Sequence, residues 1–176
     1  MGWLFAVALG MQERSRGAVW RSLLPLTLGH ALAVAAALAV AALAGMVMPL
    51  PVLRGVTAAA LIGFGIWKLI SSRHPSWGGM RVGFGGLVFW SFLMASAHGA
   101  GLMLLPLVMS DMAGMHASAN LTATVVHTAG YLAVTGLVAA LVYEKLGVGF
   151  LRRGWLNVDI AWAFALVGAG VATIAL

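Results

Sequence analysis

Cysteine is absent from this 176-residue chain. That excludes disulfides, thiol redox chemistry and thiolate metal sites, and with them the membrane carriers of thiol–disulfide exchange. Charge is scarce as well. Only 8% of residues are charged, against about a quarter in a soluble domain. No Asp, Glu, Lys or Arg lies between Arg21 and Arg54, between Arg81 and Asp111, or between Asp111 and Glu144. The chain has no Gly-x-x-x-x-Gly-Lys-Ser/Thr loop, so it carries no ATP-phosphate cradle of its own. The N-terminus lacks both a basic leader and a small-residue cleavage site, and no signal peptide is read there.

What is present is apolar. Hydrophobic residues make up 62% of the chain and the mean hydropathy is +1.04. A helix needs about 20 apolar residues to cross roughly 30 Å of hydrocarbon, and each uncharged run is longer than that. Backbone in lipid has no water to bond, so such runs must be helices; the strand-length alternation of a barrel is missing. The net charge of +6 does not indicate nucleic acid. Its Lys and Arg stand singly in short connections rather than on one solvated face.

The expected fold is an all-α membrane protein, a single bundle over residues 1–176 with about six transmembrane helices. The segments are Gly2 to Met11, Leu23 to Met48, Val52 to Ile70, Val82 to Met109, Ser118 to Tyr143 and Trp155 to Leu176. Arg14, Arg16 and Arg21 fall in the first connection, Lys68, Arg73 and Arg81 around the third, and Lys145, Arg152 and Arg153 in the fifth. The second holds only Arg54 and the fourth only Asp111. Basic connections stay in the cytoplasm, so both termini are expected outside the cell inner (plasma) membrane. Most Trp residues lie near segment ends, as interfacial anchors do.

Three helices followed by three of opposite orientation make an inverted repeat, here residues 1–70 and 82–176. Ala60-Leu61-Ile62-Gly63-Phe64-Gly65-Ile66 matches Ala165-Leu166-Val167-Gly168-Ala169-Gly170-Val171, and His30 sits about where His127 sits. Gly55, Ala59 and Gly63 form a small-residue ridge that reads as close helix packing. The first segment is short, roughly 16 Å of helix. The repeat pairs it with the longer fourth segment, which leads to the expectation of further residues before Met1.

Polar side chains at mid-membrane are costly and mark functional hypotheses. His30, His98 and His127 all fall near the midplane. A lone histidine there is most simply an interhelical hydrogen bond; three at one depth favour a shared site. Imidazole is the commonest protein ligand of nickel, cobalt, copper and zinc. The fifth segment adds a polar stripe at helical spacing: Asn120, Thr124, His127, Thr128, Tyr131 and Thr135. Ser91 and His98 share a face of the fourth. Thus His30, His98 and His127 are the expected metal ligands, with support from Ser91, Asn120, Thr124 and Thr128. A weaker outer site is formed by Met109, Met112, Met115 and His116, where thioethers suit Cu(I), although interfacial packing by a flexible apolar residue is the favoured reading. Asp159, near Arg152 and Arg153, reads as an inner salt bridge or gate.

Leu26-Thr27-Leu28-Gly29-His30-Ala31, following a basic connection, resembles the second-helix region of the nickel/cobalt transporter and HupE/UreJ-type proteins of the lysine-exporter superfamily. Ser96-Ala97-His98-Gly99 and His127-Thr128 are compatible with it. The H-x-x-x-x-D-H motif that the nickel/cobalt family carries on its first helix is absent. The resemblance implies a small six-helix carrier, not an enzyme, whose cargo is a divalent transition-metal ion. With no ATP site, protons or the membrane potential would drive it. The partners expected are the lipid bilayer and, within it, further copies or a membrane complex. One alternative is a non-transporting subunit in which His30 and His127 ligate a b-type haem; another is a structural component of a larger complex.

Overall fold

The computed structural model describes residues 2–70, 83–105, 117–146 and 158–175, with the side chains of residues 117–120, 146, 158 and 159 left aside. The described residues are helices joined by short turns. They form α1 (Gly2–Gln12), α2 (Arg16–Val47), α3 (Leu50–Ile70), α4 (Phe84–Ala97), a 3-10 turn (Leu102–Leu104), α5 (Ala117–Leu141) continued by a π turn (Val142–Leu146), and α6 (Val158–Ala175). Among the described residues, three stretches are long and apolar enough to cross a membrane: Arg16–Val47, Leu50–Ile70 and Leu121–Lys145. Three shorter apolar helices accompany them, Gly2–Gln12, Phe84–Ala97 and Ile160–Ala175. The chain is therefore a membrane-embedded helical protein. Its large exposed residues, such as Trp20, Leu24, Val40, Val126 and Phe164, are apolar, the surface chemistry that lipid requires.

The helices divide the chain into two compact units. The first comprises Met1–Leu32, Trp77–Met94 and Val125–Leu156; the second comprises Ala33–Ser76, Ala95–Thr124 and Asn157–Leu176.

In the first unit, α1 packs with the first half of α2, the first part of α4 and the last part of α5. Its core is Ala6, Val7, Val19, Leu23, Leu26, Leu87, Ala139 and Val142. Helix α2 starts earlier than its hydropathy suggests, at Arg16. Acidic partners hold that first turn: Arg21 bonds Glu13 at 3.0 Å and Arg16 lies 3.5 Å from Glu144. Exposed pairs of this kind contribute little stability, but they place the first connection and the end of α5 on one side of the unit. Pro25 sits inside α2 and removes one backbone donor, a defect that membrane helices tolerate when neighbours supply partners.

The second unit holds the one large departure from the expected helices. The fourth segment is not continuous from Val82 to Met109. Helix α4 stops at Ala97, where the Gly99 N–H bonds Ser96 O and the Ala100 N–H bonds Ala95 O, both at 3.0 Å. With Gly99 at φ +68°, this is a Schellman cap. The left-handed conformation there needs glycine. Helix α1 ends the same way, with Ser15 N–H on Gly10 O at 3.0 Å, Arg14 N–H on Met11 O at 3.4 Å and Arg14 at φ +48°. The turn after α4 is buried, as irregular backbone in a membrane protein must be. Gly101 lies against Ala33, Val34 and Ala37 of α2, and Gly99 against Leu166 of α6.

Helices α3 and α6 make the main contact of this unit, and the contact is reciprocal. A Cβ on Gly65 would meet Val167, the Ala163 carbonyl and Leu166; a Cβ on Gly170 would meet Ile62, the Ala58 carbonyl and Leu61. Each glycine thus faces the counterparts, 105 residues away, of the residues that face the other. The Gly55–Ala59–Gly63 ridge does not mediate this packing. Among the described residues, nothing lies within 4 Å of a Cβ at Gly55 or Gly63. The seam is set one face round, on Gly65. Gly65→Leu or Gly170→Leu should therefore lower stability in detergent by about 1–3 kcal/mol through overpacking, while Gly63→Leu should leave it near the parent value. Equal thermal shifts for all three would contradict this seam.

Candidate functional site

The polar stripe on α5 meets α2 and α4 inside the first unit. His30 is 5% exposed, an unusual degree of burial for an imidazole in an apolar interior. The Tyr131 ring lies flat on it, with centroids 3.8 Å apart and planes within 3°. The His127 ring lies 5.3 Å from His30 at 18°. His127 and Tyr131 are four residues apart on one face of α5, so both reach the same residue of α2.

A line of hydroxyls holds this stack. The Ser91 hydroxyl donates to the Leu26 carbonyl, and Ser91 also lies in hydrogen-bonding contact with the Tyr131 phenol. Thr135, one turn beyond Tyr131, bonds the same phenol. The line reads Thr135, Tyr131, Ser91, Leu26 carbonyl. It depends on Gly29, where α2 and α4 meet backbone to backbone. A Cβ there would lie 2.2 Å from the Val88 carbonyl and 2.7 Å from Ser91 Cβ. It also depends on Gly2, because a Cβ at that position would lie 2.1 Å from the Tyr131 oxygen.

Three buried polar atoms of this unit have no hydrogen-bond partner among the described residues: Thr27 Oγ1, His30 Nε2 and Thr128 Oγ1. Thr27 is three residues before His30 and shares its face of α2. Buried polar atoms are normally satisfied. One of the three is on His30 itself; the others are on Thr27 of α2 and on Thr128 of α5, the residue after His127.

Of the residues expected from sequence, His30, His127, Ser91 and Thr128 lie in this unit, and the first two stack. His98 belongs to the second unit. It stands at the cap of α4, with its ring 6.1 Å from Trp162 in an edge-on arrangement. Thr124 also falls in the second unit. The Asn120 side chain, His74 and the outer group of Met109, Met112, Met115 and His116 lie outside the described residues, as does the Asp159 side chain. Among the described residues, no group of three or more His, Cys, Asp or Glu side chains is placed to hold a metal ion. The sequence placed Tyr131 in the stripe but did not single it out. Its signal was position, since it recurs four residues after His127. Thr27 was missed, although Thr27-x-x-His30 and Thr124-x-x-His127 repeat one spacing on α2 and α5.

No family model, curated protein or solved structure matches this chain. The geometry above therefore carries the functional argument. Gly29→Ala should separate α2 from α4 and break the bond from Ser91 to the Leu26 carbonyl, at a cost of about 1–3 kcal/mol. Gly130→Ala, with open space around its Cβ, should be neutral or slightly stabilising, as expected for a helix interior. Chemical or thermal unfolding of the two variants in the same detergent checks the contrast.

Proposed function

We propose that this chain is a secondary transporter of the inner membrane for a divalent transition-metal ion of the nickel or cobalt type, with His30 and His127 as its ligands. One observation carries this reading: His30 is buried in an apolar helical protein, yet its Nε2 has no hydrogen-bond partner among the described residues. If His30 served only to tie helices together, that nitrogen would be bonded across the interface. Instead it is a desolvated nitrogen on a ring that stacks with a second imidazole. Borderline divalent ions favour imidazole nitrogen, with oxygen donors to complete the shell.

The reciprocal contacts of Gly65 and Gly170, the two Schellman caps and the repeated Thr-x-x-His spacing favour an inverted 3+3 repeat. In such carriers the site lies near the midplane and one half rocks against the other. His98, with its backbone in the α4 cap and its ring beside Trp162, is assigned to the helix break rather than to the ion. The basic first, third and fifth connections put both termini outside. Coupling would come from protons or the membrane potential. The haem alternative is less well served. Axial nitrogens about 2 Å from an iron would hold the imidazole centroids about 6 Å apart with the macrocycle between them. Here the rings are 5.3 Å apart, closer than that sandwich allows.

In proteoliposomes, the parent chain should move Ni²⁺ or Co²⁺ down an imposed gradient. His30→Ala and His127→Ala should each reduce that flux at least tenfold, by the order of effect known for metal-site residues, with folded protein retained. Unchanged flux in the double variant would leave the pair a packing feature.

A further inference from the structure

We propose that Tyr131 is the positioning residue of the His30 site, the group that fixes the plane in which the imidazole presents its nitrogen to a bound ion. This inference rests on the metal-site reading above and assigns a part of it to a residue that binds no ion itself. Tyr131 is where four helices of the first unit converge. Gly2 of α1 leaves room for its oxygen, Ser91 of α4 and Thr135 of α5 hydrogen-bond its phenol, and His30 of α2 lies flat on its ring at 3.8 Å and 3°. Terminal ring torsions of histidine are broad and soft, so an imidazole without such a surface would sample many planes. Face-to-face contact with a phenol pinned at its far end removes that freedom. It also closes one face of the imidazole, leaving approach in the ring plane, where a nitrogen lone pair lies. In metal sites the second ring nitrogen is often tied to a carbonyl or carboxylate to hold the ring; here a stacked ring does the same task.

Two readouts on the purified full-length chain in detergent test this. The first needs no metal. With histidine labelled by isotope, one of the five histidines should show ring protons shifted upfield by the stacked phenol; the signal should vanish in His30→Ala and lose its shift in Tyr131→Leu. An unshifted His30 in the parent, or a shift that survives Tyr131→Leu, overturns the proposal. The second readout uses Co²⁺ alone, whose ligand-field absorption reports coordination geometry. Tyr131→Leu should weaken Co²⁺ binding by roughly ten- to hundredfold and alter the absorption. Tyr131→Phe, which keeps the stack but frees the ring from Ser91 and Thr135, should fall between it and the parent, and Thr135→Val should match Tyr131→Phe. Should Tyr131→Leu fail to fold, Tyr131→Phe and Thr135→Val carry the Co²⁺ readout, and the upfield shift is read in the parent against His30→Ala. If His30→Ala abolishes Co²⁺ binding while the Tyr131 and Thr135 variants keep parent affinity and spectrum, the positioning role is wrong and the metal site stands. If His30→Ala binds Co²⁺ like the parent, the metal reading fails, and the upfield shift alone decides whether Tyr131 sets the imidazole plane.

Discussion

Helices in lipid gain nothing by hiding apolar side chains from one another, because the tails are as apolar as leucine. What holds them is close packing, and close packing needs positions without a Cβ. Gly29 lets α2 and α4 meet backbone to backbone, and Gly65 and Gly170 do the same for α3 and α6. The rest follows from these approaches. With Gly29 in place, the Ser91 hydroxyl can reach the Leu26 carbonyl. Ser91 then holds Tyr131, and Tyr131 covers His30. A single methyl group at residue 29 would reach the polar centre through two hydrogen bonds and one ring stack.

The polar centre is costly by the same logic. Burying a hydrogen-bonding group without a partner costs about 1–3 kcal/mol in proteins. Hydroxyls that complete bonds, such as Ser91, offset their own burial. His30 Nε2, Thr27 Oγ1 and Thr128 Oγ1 do not. A bundle selected for stability alone would place alanine or leucine at those positions. Under the proposed metal-site reading, their burial is the stability given up for a ligand.

Much of this was legible in the sequence, and the gaps have physical causes. Uncharged runs located the three long apolar helices among the described residues, because lipid imposes one rule on every span. Spacing by three and four put His127, Thr128, Tyr131 and Thr135 on one helix, and depth matched His30 to His127. Hydropathy could not see the end of α4, since His98-Gly99-Ala100-Gly101 is small and mostly apolar whether coiled or helical. The usable signal was local: a histidine in the last turn with glycine just after it, which marks a helix C-terminus. The ridge of Gly55 and Gly63 pointed to the right helix but the wrong face, because small-residue spacing says that a helix can be approached closely and not from which side. The early start of α2 was hidden for a different reason. Arg16 and Arg21 read as a loop until Glu144 and Glu13 are seen beside them, and one of those partners lies in a distant part of the chain.

The central claim is that the His30–His127 pair is a ligand site rather than a packing contact. X-ray absorption at the metal edge of the Co²⁺- or Ni²⁺-loaded chain tests it most directly, because imidazole rings give a distinctive outer-shell scattering pattern. The account predicts nitrogen and oxygen donors at about 2 Å, with ring scattering from two histidines in the parent and one in His127→Ala. A shell of oxygen alone, like that of the hydrated ion, or ring scattering unchanged when His30 and His127 are both replaced, would contradict it.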